Sequence, residues 1–178
     1  MAARGTMTKA PHIPDHRNDH GFTLIELLIV MSIMLILMAL IVPQVNQIKK
    51  KGNQTSAINS VQAIGKAELE YNSAYPSAGY ACTLAALGGD PKSGAPSPQS
   101  AQLLDPQLAA TGQKSGYTFA ITNCTKVTVN NQDTYTSYQL TAVPQSVGKT
   151  GDNGYCSDEN NIVKVDPAGG TNCTQPIQ

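Results

Sequence analysis

Hydrophobicity along this chain falls into three regimes. From Phe22 to Val42 the sequence FTLIELLIVMSIMLILMALIV is apolar almost throughout and holds one charge, Glu26. As a helix it is about 31 Å long, against a bilayer core of about 30 Å. Beyond Pro43 the pattern becomes one-sided. Ile58, Val61, Ile64, Ala67, Tyr71 and Tyr75 recur three or four residues apart, and Gln62, Lys66 and Glu70 take the opposite side. One interrupted helix is therefore predicted from Phe22 to about Tyr75. Pro43 and Gly52 are its expected kink points, and Pro76 ends it.

The third regime has period two. Tyr117, Phe119 and Ile121 alternate with Thr118, Ala120 and Thr122 as far as Cys124. Lys126–Val129 continues the pattern, and Tyr135–Val143 places Thr136, Tyr138, Leu140 and Ala142 on one face. Asn130–Asp133 is the turn between them, and Ile162–Val165 a last short strand. Alternation of this kind marks half-buried antiparallel strands. The expected fold is α+β: a long N-terminal helix, half membrane-embedded and half amphipathic, packed against a small antiparallel sheet of three or four strands in a ladle shape.

Between helix and sheet, Ser77 to Gly116 is rich in Gly, Pro, Ser and Ala. It reads as a long exposed connection with short helical pieces near Cys82–Leu87 and Ala101–Ala110, most flexible over Ser93–Ser100. The resulting segments are 1–21, 22–43, 44–76, 77–116 and 117–178.

The polar stretch precedes the apolar run, and no small-residue cleavage site follows it, so an ordinary secretory signal does not fit. A cut after Gly21 would remove residues 1–21 as a leader and leave the helix starting at a free amine on Phe22. Gly21-Phe22-Thr23-Leu24-Ile25-Glu26-Leu27-Leu28-Ile29-Val30 resembles the prepilin processing motif of type IV pilins and of the related type II secretion pseudopilins. The resemblance implies peptidase cleavage after Gly21 and N-methylation of Phe22. It also implies a structural role for Glu26 and Pro43, the matching glutamate and proline. Its implied partners are identical subunits in a helical homopolymer, a prepilin peptidase, an inner-membrane assembly machinery, and membrane lipid before assembly. The implied location is the inner membrane as a single-pass precursor and then an extracellular pilus, or a periplasmic pseudopilus for the pseudopilin alternative.

Glu26 needs a partner. A carboxylate in hydrocarbon costs roughly 2.5–3.5 kcal/mol even on forgiving scales, and such residues are usually paired and functional. The first helical turns favour negative charge, and the new Phe22 amine supplies a cation. Between axially staggered helices that amine reaches a neighbour's Glu26, which makes the pair a device for setting register.

Composition narrows the chemistry. All three histidines (His12, His16 and His20) and both arginines (Arg4 and Arg17) lie before Phe22. A start at Met7 would shorten the leader. The processed chain would then hold no histidine for a Ser-His-Asp, Cys-His or His-metal site. No nucleophile elbow or phosphate loop is present either, so an enzyme is not expected. Formal net charge is zero, and Lys49, Lys50 and Lys51 form the one basic run. That run reads as an interfacial anchor rather than a nucleic-acid patch.

Cys82, Cys124, Cys156 and Cys173 make an even set, as in a disulfide framework. Of three connectivities, Cys156–Cys173 with Cys82–Cys124 is favoured: one closes a C-terminal loop and the other pins the connection to the first strand. Type IV pilins commonly staple a C-terminal loop in this way. No cofactor is expected. Asp152, Asp158 and Glu159 are weak calcium candidates within an oxygen-rich stretch, set against the reading of a solvated polar turn.

Overall fold

The computed structural model describes residues 21–92, 94–129 and 131–177, without the side chains of residues 40–43 and 129. Residues 1–20 of the expected leader, Ser93 of the Pro-rich stretch and Asn130 of the expected turn 130–133 lie outside the described residues, as does the side chain of Pro43. The fold is α+β. Helix α1 spans Leu24–Ala74, α2 Leu84–Leu87 and α3 Pro106–Thr111. The strands are β1 (Gln113–Lys114), β2 (Tyr117–Val129), β3 (Gln132–Pro144), β4 (Gly154–Asp158), β5 (Lys164–Asp166) and β6 (Gln175–Pro176). They form one six-stranded antiparallel sheet in sequence order.

The chain divides into two compact units, with the boundary between Ile41 and Val42. Helix α1 is assigned continuously across Pro43 and Gly52, the two expected kink points. Its last turn closes with Tyr75 N–H donating to Tyr71 O at 2.8 Å. Pro76, which has no N–H to offer, follows.

In the second unit the core forms on one face of α1. Ala57, Val61, Ile64 and Tyr71 are buried there against Tyr117, Phe119, Tyr138, Leu140, Ala142 and Tyr155 of the sheet. Gln62, Lys66 and Glu70 are exposed. The register explains the shared face: Phe119 pairs with Ala142, and Ala142 in turn with Tyr155.

Two expectations change. The connection 77–116 is not an exposed loop throughout. Ala81, Leu84, Leu87, Ala101, Leu104, Leu108 and Ala109 are buried in the same core. Short helices place four of them, Leu84, Leu87, Leu108 and Ala109: Thr83 caps α2 and Asp105 caps α3 by accepting from Ala86 and Leu108 N–H. The sheet also exceeds three or four strands. β2 continues through Cys124 by way of a register irregularity near Asn123, whose φ is 50°. β4 (Gly154–Asp158) is an addition with no polar–apolar alternation, because its first four residues are all buried. The last expected strand, at 162–165, appears as Lys164–Asp166.

Two glycines sit in close packing in the domain. Gly79, at φ 78°, bridges to Tyr135, and a Cβ there would lie 2.0 Å from the Tyr135 carbonyl oxygen. Gly65 lies on the buried face of α1, where a Cβ would lie 2.1 Å from Asn161 Oδ1. At Gly79, with backbone opposite and a positive φ, only glycine allows the approach.

Candidate functional site

The start of α1 is built by three consecutive residues and one return contact. Gly21, Phe22 and Thr23 are non-helical, and Leu24 is the first helical residue. Thr23 stands at the N-cap. Its Oγ1 accepts from Glu26 N–H at 3.3 Å. Glu26 Oε2 accepts from Thr23 N–H at 3.1 Å and from Thr23 Oγ1–H at 2.9 Å. This is a reciprocal capping box, which satisfies orphan donors at the helix end. The Thr-x-x-Glu spacing carries that signal in the sequence and went unread beside the question of charge. Within one chain, Glu26 is therefore held by its own helix start.

Below this cap every described side chain from Phe22 to Met38 is exposed. Leu24 is 91% exposed and Met38 61%, so no other described residue covers a face of this stretch. Ser32 offers its hydroxyl to Leu28 O at 2.8 Å, leaving no free polar donor on that side chain. The helix is long and apolar enough to cross a membrane by length and composition. Such a surface is compatible with membrane anchoring of a precursor.

The cysteines lie far along the chain from this segment. Cys82 bonds to Cys124, tying the connection to β2, and Cys156 bonds to Cys173, tying β4 to the C-terminal stretch. Their Cα–Cα distances are 6.0 and 5.9 Å, within the ordinary range.

Two of the three calcium candidates, Asp152 and Asp158, are engaged otherwise. Asp152 pairs with Lys50 at 2.9 Å and accepts weakly from Gln54. Asp158 accepts from Asn160 N–H at 3.0 Å and from Lys164 Nζ at 3.3 Å. Burial alone would raise its pKa, but these hydrogen bonds outweigh it and hold the carboxyl below its usual range. Among the described residues no group of three or more His, Cys, Asp or Glu side chains could hold a metal.

One buried acid was missed in the sequence. Glu68 is fully buried on the core face of α1. Its Oε2 accepts from Ala81 N–H at 2.7 Å, while Oε1 has no partner among the described residues. Burial pushes its pKa up to about 8, against the lowering effect of the Ala81 bond. The Tyr138 hydroxyl is buried and unpartnered too, and its pKa rises through burial first and Glu68 second.

Residues 16–42 match a family model described as the prokaryotic N-terminal methylation motif. That motif is the hallmark of type IV pilin and prepilin-like proteins, and it supports a protein of prepilin type. Comparison with curated proteins and with solved structures gave no match.

Proposed function

We propose that this chain is a structural subunit of a type IV pilus, cut by prepilin peptidase after Gly21, methylated on Phe22 and polymerised through its N-terminal helix. The observation that carries this is the apolar segment Phe22–Met38, exposed on every side and lying inside the matched motif. An uncovered apolar helix can rest in lipid as a precursor and exchange lipid for like helices in a filament. That exchange supplies packing rather than new hydrophobic gain, so a directed contact must set the register. Glu26 is that contact: on cleavage, the amine of a neighbouring Phe22 becomes available to it. The subunit's role is assembly, not catalysis.

Mass spectrometry of filaments sheared from the cell surface tests the proposal. A peptide beginning at methylated Phe22, abundant in that fraction, is the expected result. The same peptide confined to the envelope would instead mean a pseudopilin or minor pilin. An intact leader in every fraction would overturn cleavage at Gly21.

A further inference from the structure

A cleft of about 520 Å³ lies where α1 passes the loop between β3 and β4, lined by Asn46, Gln47, Lys49, Lys50, Gly148 and Lys149, among others. Lys50 spends its charge on Asp152. Among the described residues no ion pair holds Lys49 or Lys149. Lys49 and Lys149 therefore line the cleft with their charges uncommitted, and Asn46 and Gln47 line it with them. Point-charge amines and amide donors suit a phosphate.

The loop that brings Lys149 is not a loose tip. Gly148 N–H donates to Gly151 O at 2.8 Å, and Thr150 N–H to Ser146 O at 2.9 Å. Asn53 Nδ2 donates to Thr150 O at 2.9 Å, fastening the loop to α1. On the same loop Val147 is 58% exposed, an apolar side chain beside a basic one. The position along the helix decides what would face this cleft. Lys49 follows Val42, the end of the apolar run, by seven residues, about 10 Å at helical rise. That is a few Å beyond a headgroup layer of about 5–8 Å, near enough for a basic side chain to feel an anionic leaflet within a Debye length.

We propose that this cleft seats the phosphate of an anionic phospholipid headgroup while the subunit waits in the membrane, with Lys49 and Lys149 as the two charges and Val147 turned to the lipid surface. This rests on the reading of Phe22–Val42 as a membrane-held segment and deepens it by naming the lipid class. On assembly the headgroup must be released, so the seat also ties the lipid content of the membrane to subunit extraction.

The test uses the full chain processed at Gly21, reconstituted in nanodiscs of phosphatidylcholine alone or with phosphatidylglycerol, with a spin label on the lipid headgroups. NMR broadening of the Val147, Gly148 and Lys149 amides is read. Broadening that grows with phosphatidylglycerol is expected, with the preference falling about fivefold in Lys49→Ala or Lys149→Ala and vanishing in the double variant. Lys66→Ala, on an exposed side chain elsewhere on α1, should leave it unchanged. Equal broadening in both lipids, or no effect of the variants, overturns the proposal. So does a matching response to inorganic phosphate in phosphatidylcholine discs, or one that appears only with several copies per disc, which would assign the cleft to free anions or to a second copy. Amide protection of Phe22–Val42 in the discs is scored separately. If it is absent, the membrane reading fails, whereas protection without a loop response sinks only the headgroup seat.

Discussion

Thr23 and Glu26 bond to each other in both directions, so the residue that marks the helix start and the one acid in the apolar segment form a single unit. The carboxylate has two separable uses, as a cap and as a charge. Glu26→Gln keeps a capping-box side chain and loses the charge. Glu26→Ala loses both. Both variants are expected to insert in the membrane, and both should give few or no sheared filaments. Normal filament yield from Glu26→Ala would remove the register role. Thr23→Ala tests the cap alone. It should cost about 1 kcal/mol of local helix stability, visible as faster amide exchange over Leu24–Leu27.

Glu68 makes the domain's stability depend on pH. Its ordinary pKa of 4.5 rises to about 8 in the folded state. Below about 4.5 the carboxyl is neutral in both states and costs nothing extra. Between there and about 8 the unfolded chain ionises while the folded one holds its proton, so stability falls as pH rises. The loss is complete above about 8 and is on the order of a few kcal/mol. Urea unfolding at about pH 5 and about pH 8 measures it. Glu68→Gln should flatten the profile; an unchanged slope in that variant would refute the assignment.

The helix stripe shows both the reach and the limit of reading residues in order. Its buried positions on α1 include Ala57, Val61, Ile64, Glu68 and Tyr71, spaced four, three, four and three. The apolar stripe Ile58–Tyr75 holds three of these, Val61, Ile64 and Tyr71, and passes over Ala57 and Glu68, because nothing local distinguishes Glu68 from Glu70 on the solvent side. The sheet's core face was legible from alternation in Tyr117–Ile121 and Thr136–Ala142. β4 was not: Gly154–Ser157 is buried without alternating, and its place depends on pairing with Gln139–Ala142. The connection 77–116 looked like loop because its composition is Gly- and Pro-rich. Its sparse leucines are nevertheless core, held by two short capped helices. Lys149 joins Lys49 only through the fold, from a hundred residues away.

Gly79 allows a direct test of close backbone approach. Gly79→Ala meets both an unfavourable φ and the Tyr135 carbonyl. It should destabilise the domain by roughly 2 kcal/mol or more. Gly148→Ala meets no neighbouring atom but shares the positive φ, so it should cost less. Thermal unfolding of the pair separates steric approach from backbone strain, and equal losses would discount the Tyr135 contact.

Calcium is expected to leave thermal stability unchanged. Asp152 and Asp158 already face Lys50 and Lys164, and a ligand that binds only the folded state would have to raise the melting temperature. A calcium-dependent rise, abolished by Asp158→Asn, would contradict this. Removing the Lys50–Asp152 pair by Asp152→Asn should cost no more than about 1 kcal/mol, since both side chains remain partly in water.

The two disulfides have a consequence for where this domain can mature. They close loops with sequence separations of 42 and 17, contributing about 4 and about 3 kcal/mol by chain entropy. Whole domains are stable by only about 5–15 kcal/mol. A large part of the fold's margin is thus covalent and conditional on oxidation. In a reducing cytosol the same polypeptide would be a marginal, protease-sensitive chain. Full stability therefore requires an oxidising space, and a copy of the chain held in a reducing one would be the easier to remove.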